Sequence, residues 1–158
     1  MKWLALVSLA SFVVFASGCT SLSFLIANSA TLTGRYDRST DHSYGPESRQ
    51  QLDVYSPKDA QDRPVVVFFY GGSWTAGRRG LYRFVGAALA ERGIVTVVPD
   101  YRLYPQVKFP VFLDDGALAV AWVQKHAQEF GGDPQRIVLM GHSAGGHLAL
   151  WLAAHSRK

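Results

Sequence analysis

The chain has one cysteine, Cys19, so no intramolecular disulfide can hold it together. Its basic residues form no stripe interleaved with aromatics. They stand singly or in pairs such as Arg78-Arg79, and a formal charge of +4 dispersed in this way describes a solvated surface and excludes a nucleic-acid partner. No internal repeat or low-complexity tract is present. No aspartate or glutamate follows Ser143. What is there is the composition of a folded protein, 48% hydrophobic and 18% charged, with 158 residues to build one modest core.

The N-terminal stretch is set apart by charge. Lys2 precedes an apolar run over residues 3–16, and no charged residue stands between Trp3 and Gly34. With Ala16-Ser17-Gly18-Cys19 at its end, the run reads as a secretory signal. The small residues before the cysteine resemble a bacterial lipoprotein cleavage box, which implies that Cys19 becomes the lipidated first residue and a membrane anchor. By the same resemblance, Thr20 after it points to an exported cell-envelope protein on the outer membrane, facing the periplasm. A soluble secreted protein cut nearby, or an uncleaved anchor, since a span needs only about 20 apolar residues, stay open as alternatives. The expected division is a signal peptide at 1–18, a tether at 19–42 leading into an irregular first strand, and a folded domain at 43–158.

Within that domain, apolar residues recur with clear periods. Gln51-Leu52-Asp53-Val54-Tyr55 alternates polar and apolar, as a half-buried strand does, with Ser56-Pro57 at its end. Residues 65–70 are apolar throughout and β-branched at the start, which suits a central strand covered on both faces. Leu81, Phe84, Val85, Ala88 and Leu89 have helical spacing, and Gly93 stops that helix. A second apolar strand spans 94–98. A long amphipathic helix covers 111–130 and ends at Gly131-Gly132-Asp133-Pro134. Strand, helix, strand, helix, strand, helix predicts an α/β fold with a mostly parallel sheet and helices on both faces. Functional groups then belong at the carboxyl ends of the strands.

Gly141-His142-Ser143-Ala144-Gly145 lies between an apolar strand at 137–140 and a helix at 146–154. A strand running into a tight turn and then a helix is the context of a nucleophile elbow, with Ser143 as nucleophile and glycines leaving room for a strained backbone. Without that context the motif would be a solvated serine in a Gly-rich turn. Acyl transfer also needs donors aimed at the oxygen that becomes negative. Gly71, Gly72 and Ser73 offer consecutive amides at a strand end, and Ala144 adds one from the elbow, together an oxyanion hole. Trp74 and His142 are candidate walls of a substrate pocket, Trp74 being equally suited to packing.

Several segments together carry a resemblance: Tyr44-Gly45-Pro46, Gln51-Leu52-Asp53-Val54-Tyr55, the 65–70 strand with Gly71-Gly72-Ser73-Trp74, Asp100-Tyr101-Arg102-Leu103-Tyr104-Pro105, Phe109-Pro110 and the elbow. In this order they resemble the N-terminal half of an α/β-hydrolase esterase, nearest the carboxylesterase, lipase and aryl-formamidase-like set related to hormone-sensitive lipase. The resemblance implies a truncated α/β-hydrolase fold over 43–158 and a serine hydrolase of small acyl or aryl esters, with no metal or organic cofactor.

Two departures accompany it. Tyr70 stands where the family has the histidine of His-Gly-Gly-Gly; the amides survive that change, and a tyrosine hydroxyl is able to replace the histidine's bracing hydrogen bond. In this fold the triad runs serine, acid, histidine, yet only His147 and His155 follow Ser143. His147, one turn along the helix, suits packing; His155 lies in the tail; His42 and His126 suit a surface loop and a solvated helix face. Without a base a serine hydroxyl is a poor nucleophile. The expectation is a chain that is weakly active or inactive by itself, with an apolar sheet edge at Met140 for a partner to cover. A degenerate, non-catalytic lipoprotein or binding protein on the same scaffold, and an amidase or formamidase, are the alternatives.

Overall fold

The computed structural model describes residues 22–29, 31 and 34–155. Cys19 and the expected signal peptide lie outside them. Helix α1 covers 22–29. The strands are β1 (Tyr36–Ser43), β2 (Gln51–Pro57), β3 (Arg63–Phe69), β4 (Val95–Pro99) and β5 (Gly132–Gly141), and the remaining helices are α2 (Arg83–Ala90), α3 (Val111–His126) and α4 (Ala144–His155). None of the helices described is long and apolar enough to cross a membrane.

The strands form one mixed sheet in the order β1-β2-β4-β3-β5. The βαβ units expected from the alternation are present: β3 pairs in parallel with β4 and with β5, each reached through a helix. β1 and β2 add an antiparallel wing. β3 is buried from Val65 to Phe69, as a strand covered on both faces must be. Phe68 meets Tyr82 on the α2 side, whereas Val65 lies under Gly132 on the side of α3 and α4. The close approach of α3 to α4 is made at Gly116, where a Cβ would lie 2.6 Å from Leu148.

Four segments differ from the reading by pattern. β2 is buried on both faces, not one; its polar residue Asp53 is 1% exposed and sits among arginines, so alternation marked a buried ion pair. The helix expected at 81–92 opens as a 3-10 turn, Arg79–Tyr82, before α2 begins. The helix expected to reach residue 130 ends at His126 and continues as a 3-10 turn to Phe130. Gly131 then reverses the chain at φ 74°, and Gly132 already pairs with Arg63 in the sheet. Inside the stretch expected as a tether, α1 and β1 are ordered parts of the fold, so the boundary at 43 falls on the last residue of β1. Asn28 pins α1: its amide donates to the Leu81 carbonyl (2.9 Å) and its oxygen accepts from the Phe84 amide (3.0 Å). Phe24 packs edge-on against Tyr82, 5.1 Å between centroids.

Candidate active site

The carboxyl ends of β3, β4 and β5 converge on one loop cluster. At the end of β5 the backbone turns so sharply that Ser143 takes φ 53°, a left-handed conformation that a serine adopts at a cost of order 1–3 kcal/mol. Only glycine fits on either side. A Cβ at Gly145 would collide with the Phe69 carbonyl, and one at Gly141 with the Gly145 carbonyl. His142 donates its amide to the Phe69 carbonyl (3.1 Å), while the Ser143 carbonyl accepts the amides of Gly146 (2.9 Å) and His147 (3.2 Å). These bonds lash the turn to β3 and to the first turn of α4. The serine side chain is exposed at the tip.

The loop after β3 abuts this turn. A Cβ on Gly71 would lie 2.8 Å from His142 Nδ1 and 3.0 Å from Ser143 Cβ. Gly72 (φ 140°), Ser73 (φ 50°) and Trp74 (φ 57°) follow in the left-handed half of backbone space. The Gly72 carbonyl accepts the amides of Thr75 (2.9 Å) and Ala76 (3.0 Å), closing the loop into a tight turn. The amides of Gly72, Ser73 and Ala144 make no hydrogen bond among the described residues. Two non-glycine residues held at positive φ, with unengaged amides, thus stand next to an exposed serine.

A polar network behind the loop holds that strain. Tyr70, fully buried, donates its hydroxyl to Asp100 Oδ1 (2.8 Å) and accepts from Arg49 (2.8 Å). Arg79 gives Asp100 its backbone amide (2.7 Å) and a guanidinium N–H (2.5 Å), and reaches Asp53 with Nε (2.8 Å). Tyr101 donates to the Tyr70 carbonyl (2.7 Å), and Arg49 ties the Tyr101 and Gly77 carbonyls, both at 2.9 Å. Burial, reinforced by the Asp100 charge, pushes the Tyr70 hydroxyl far above its ordinary range, so it stays a donor. Burial works against the Arg79 charge, but the hydrogen bonds to Asp53 and Asp100 prevail and hold it protonated. Arg102 and Asp115 repeat the theme one loop over, with Arg102 contributing its backbone amide (2.8 Å) and guanidinium (2.7 Å).

The other residues singled out by sequence are placed as follows. Trp74 stacks on Phe112 (5.6 Å) and meets the His147 ring edge-on (5.6 Å), so it packs beneath the loop; its indole Nε1 is buried without a hydrogen-bond partner among the described residues. His142 is exposed, with its ring 6.4 Å from that of Tyr82. His155 bonds back to the Trp151 carbonyl and His126 to Glu129, both at 2.8 Å. His42 is corrected from a surface loop to β1, half-buried against Trp122 and Phe130. No histidine or carboxylate is bonded to the Ser143 hydroxyl among the described residues. Sequence reasoning missed Arg49, Arg79, Asp53 and Asp115; the available signal was a carboxylate inside or directly after an apolar run.

Residues 52–158 match the BD-FAE family. The chain is 41% identical over 113 residues to a probable isoprenylcysteine alpha-carbonyl methylesterase of Oryza sativa subsp. japonica, a match covering 71% of this chain and 27% of that protein. It is 41% identical over 106 residues to the carboxylesterase NlhH of Mycobacterium tuberculosis, covering 66% of this chain and 33% of that one. An inhibited esterase B from Lactobacillus rhamnosis superposes with a TM-score of 0.80 at 25% identity, over 96% of this chain and 50% of the other. The chain thus spans about a third or less of the length of these curated relatives and half that of the solved esterase.

Proposed function

The chain belongs to the BD-FAE family, among carboxylesterase-like hydrolases of α/β-hydrolase fold, and from that membership we propose that Ser143 is the nucleophile of a carboxylic ester hydrolase. The observation that carries the proposal is the strained Ser143 turn pressed against the Gly71 loop. The serine oxygen attacks the ester carbonyl, and the carbonyl oxygen, gaining negative charge, is received by the amides of Gly72, Ser73 and Ala144, the Gly71 amide being engaged by the Tyr82 hydroxyl. Loss of one such donor typically costs about 3–4 kcal/mol of transition-state stabilisation. Tyr70, anchored between Arg49 and Asp100, takes the bracing part that a histidine plays in the resembling esterases. His142, exposed beside the serine, borders the substrate, while Trp74 supports the loop from beneath.

Nothing among the described residues engages the Ser143 hydroxyl, so the general base and its acid lie outside the described residues. The substrate is a small acyl or aryl ester, and no metal or organic cofactor takes part. Val138 and Met140, 56% and 43% exposed on the edge strand β5, give the unpaired sheet edge an apolar face for a partner to cover. Lipidation at Cys19 would hold the enzyme at the outer membrane, facing the periplasm.

Hydrolysis of p-nitrophenyl butyrate by the protein expressed from its own locus, compared with Ser143→Ala, tests the nucleophile. We expect a loss of about 10³-fold or more, and unchanged turnover would overturn the assignment. The 158-residue chain alone is expected to stay near background. Turnover by it that Ser143→Ala abolishes would show that the base lies within these residues.

A further inference from the structure

A polar cleft of about 360 Å³, lined by Arg38, Asp41, Asp53, Arg78, Arg79, Gly80, Arg83 and Asp100, includes no residue of the Ser143 turn or of the Gly71 to Trp74 loop. Four arginines and three aspartates line it, and Arg49 adds a further guanidinium 3.7 Å from Asp100. The aspartates are already engaged: Asp53 pairs with Arg38 (2.8 Å) and Arg79 (2.8 Å), Asp100 with Arg79 (2.5 Å), and Asp41 with Arg79. Arg78 and Arg83 are different. Neither forms an ion pair or a side-chain hydrogen bond among the described residues, and Arg83 Nε is buried with no partner.

A buried guanidinium N–H without an acceptor is costly, because burial removes water and returns nothing. Natural structures retain few such groups, and each calls for a reason. A second orphan lies close by. The Tyr55 hydroxyl, on a side chain with no exposure, makes no hydrogen bond; the Arg38 guanidinium lies over its ring, 5.6 Å from the centroid. The Tyr55 ring in turn lies against Gly86 of α2, one turn beyond Arg83. The unsatisfied Arg83 Nε, in a cleft it shares with an Arg78 that has no carboxylate of its own, describes a place made for an acceptor that the chain does not supply.

We propose that this cleft binds a small carboxylate monoanion between Arg78 and Arg83. The guanidinium forks of these two arginines, which have no carboxylate partner among the described residues, match the two coplanar oxygens of a carboxylate. A doubly charged phosphate would meet twice the repulsion from Asp41 and Asp53 in the lining. The site is separate from the esterase pocket and does not depend on Ser143. It is contiguous with the loop brace, because Arg79 lines the cleft and also holds Asp100.

The test is a titration of 15N-labelled protein, following the side-chain Nε–Hε resonance of Arg83, with sodium acetate, sodium phosphate and sodium chloride at matched ionic strength. A saturable shift with acetate, absent with chloride and at least threefold weaker in affinity with phosphate, is expected. Arg78→Gln, at an exposed position that bonds no side chain of the fold, should weaken acetate binding at least threefold. Arg83→Lys, which keeps the charge but loses the Nε donor, should weaken it by a similar factor, read on the remaining cleft resonances. No saturable shift, equal shifts with chloride, tighter binding of phosphate than acetate, or unchanged affinity in Arg78→Gln would each overturn the proposal.

Discussion

At the residue scale, Ser143 and the glycines around it are held by geometry and Tyr70 by hydrogen bonds, and the two kinds of restraint fail differently. Gly145→Ala places a methyl group on the Phe69 carbonyl, with backbone on both sides and nothing flexible to yield. The expected destabilisation is about 3 kcal/mol, the upper part of the range for overpacking, measured by urea unfolding. Tyr70→Phe removes one hydroxyl, yet Asp100 keeps two bonds from Arg79, and Arg49 keeps the Gly77 carbonyl. Its cost should be about 1–1.5 kcal/mol. Asp100→Ala strands the Arg79 and Tyr70 donors together, and should cost about 3–5 kcal/mol, the range for breaking a buried pair from one side. Equal costs for these two variants would show that the hydroxyl, and not the carboxylate, is the centre of the brace.

Elements are joined to the fold by few contacts at the N-terminal end and many at the centre. Helix α1 presents Leu22, Leu25 and Ile26 outwards, 56–69% exposed, and is attached through Phe24 and the two hydrogen bonds of Asn28. Asn28→Ala should therefore free α1 without unfolding the sheet. Amide exchange over 22–29 is expected to accelerate at least tenfold while the amides of β3 keep their protection. Loss of protection in both would mean that α1 is integral to the core. The same element shows why pattern reading fell short. Eight residues, too short for a helix stable by itself, with no charge and no polar face of their own, have little helix signal; what orders them is Tyr82 and Phe84, far along the chain.

Across the whole molecule, buried tyrosines make alkaline stability a collective property. Burial raises the hydroxyls of Tyr44, Tyr70 and Tyr101 well above the ordinary value of about 10, and that of Tyr55 to about 12. In each case the folded state holds the proton more tightly than the unfolded one. The stabilisation is complete below about pH 10 and is lost as pH rises through the folded values. Tyrosinate absorbance should therefore lag the model titration, and most of the remaining signal should appear together with loss of helical circular dichroism between about pH 10 and 12. Independent titration of these tyrosines before unfolding would contradict the burial described here.

The sequence by itself determined the βαβ order, a central strand at β3, the strand-to-helix turn at Ser143 and the loop of Gly71, Gly72 and Ser73. These are local matters: periodicity, strand-to-helix punctuation and the backbone freedom of glycine are written in adjacent residues. The tertiary structure alone decided that Asp53 and Asp100 share Arg79, that Tyr70 hangs between Arg49 and Asp100, that α1 belongs to the fold, and that Arg78 and Arg83 face a cleft without a carboxylate of their own. The residues of those contacts lie 21 to 56 positions apart, and each is set by which side of the sheet its strand or helix presents. A charge in a sequence looks solvated until the chain folds another charge against it, and an apolar segment shows no partner until a distant ring arrives.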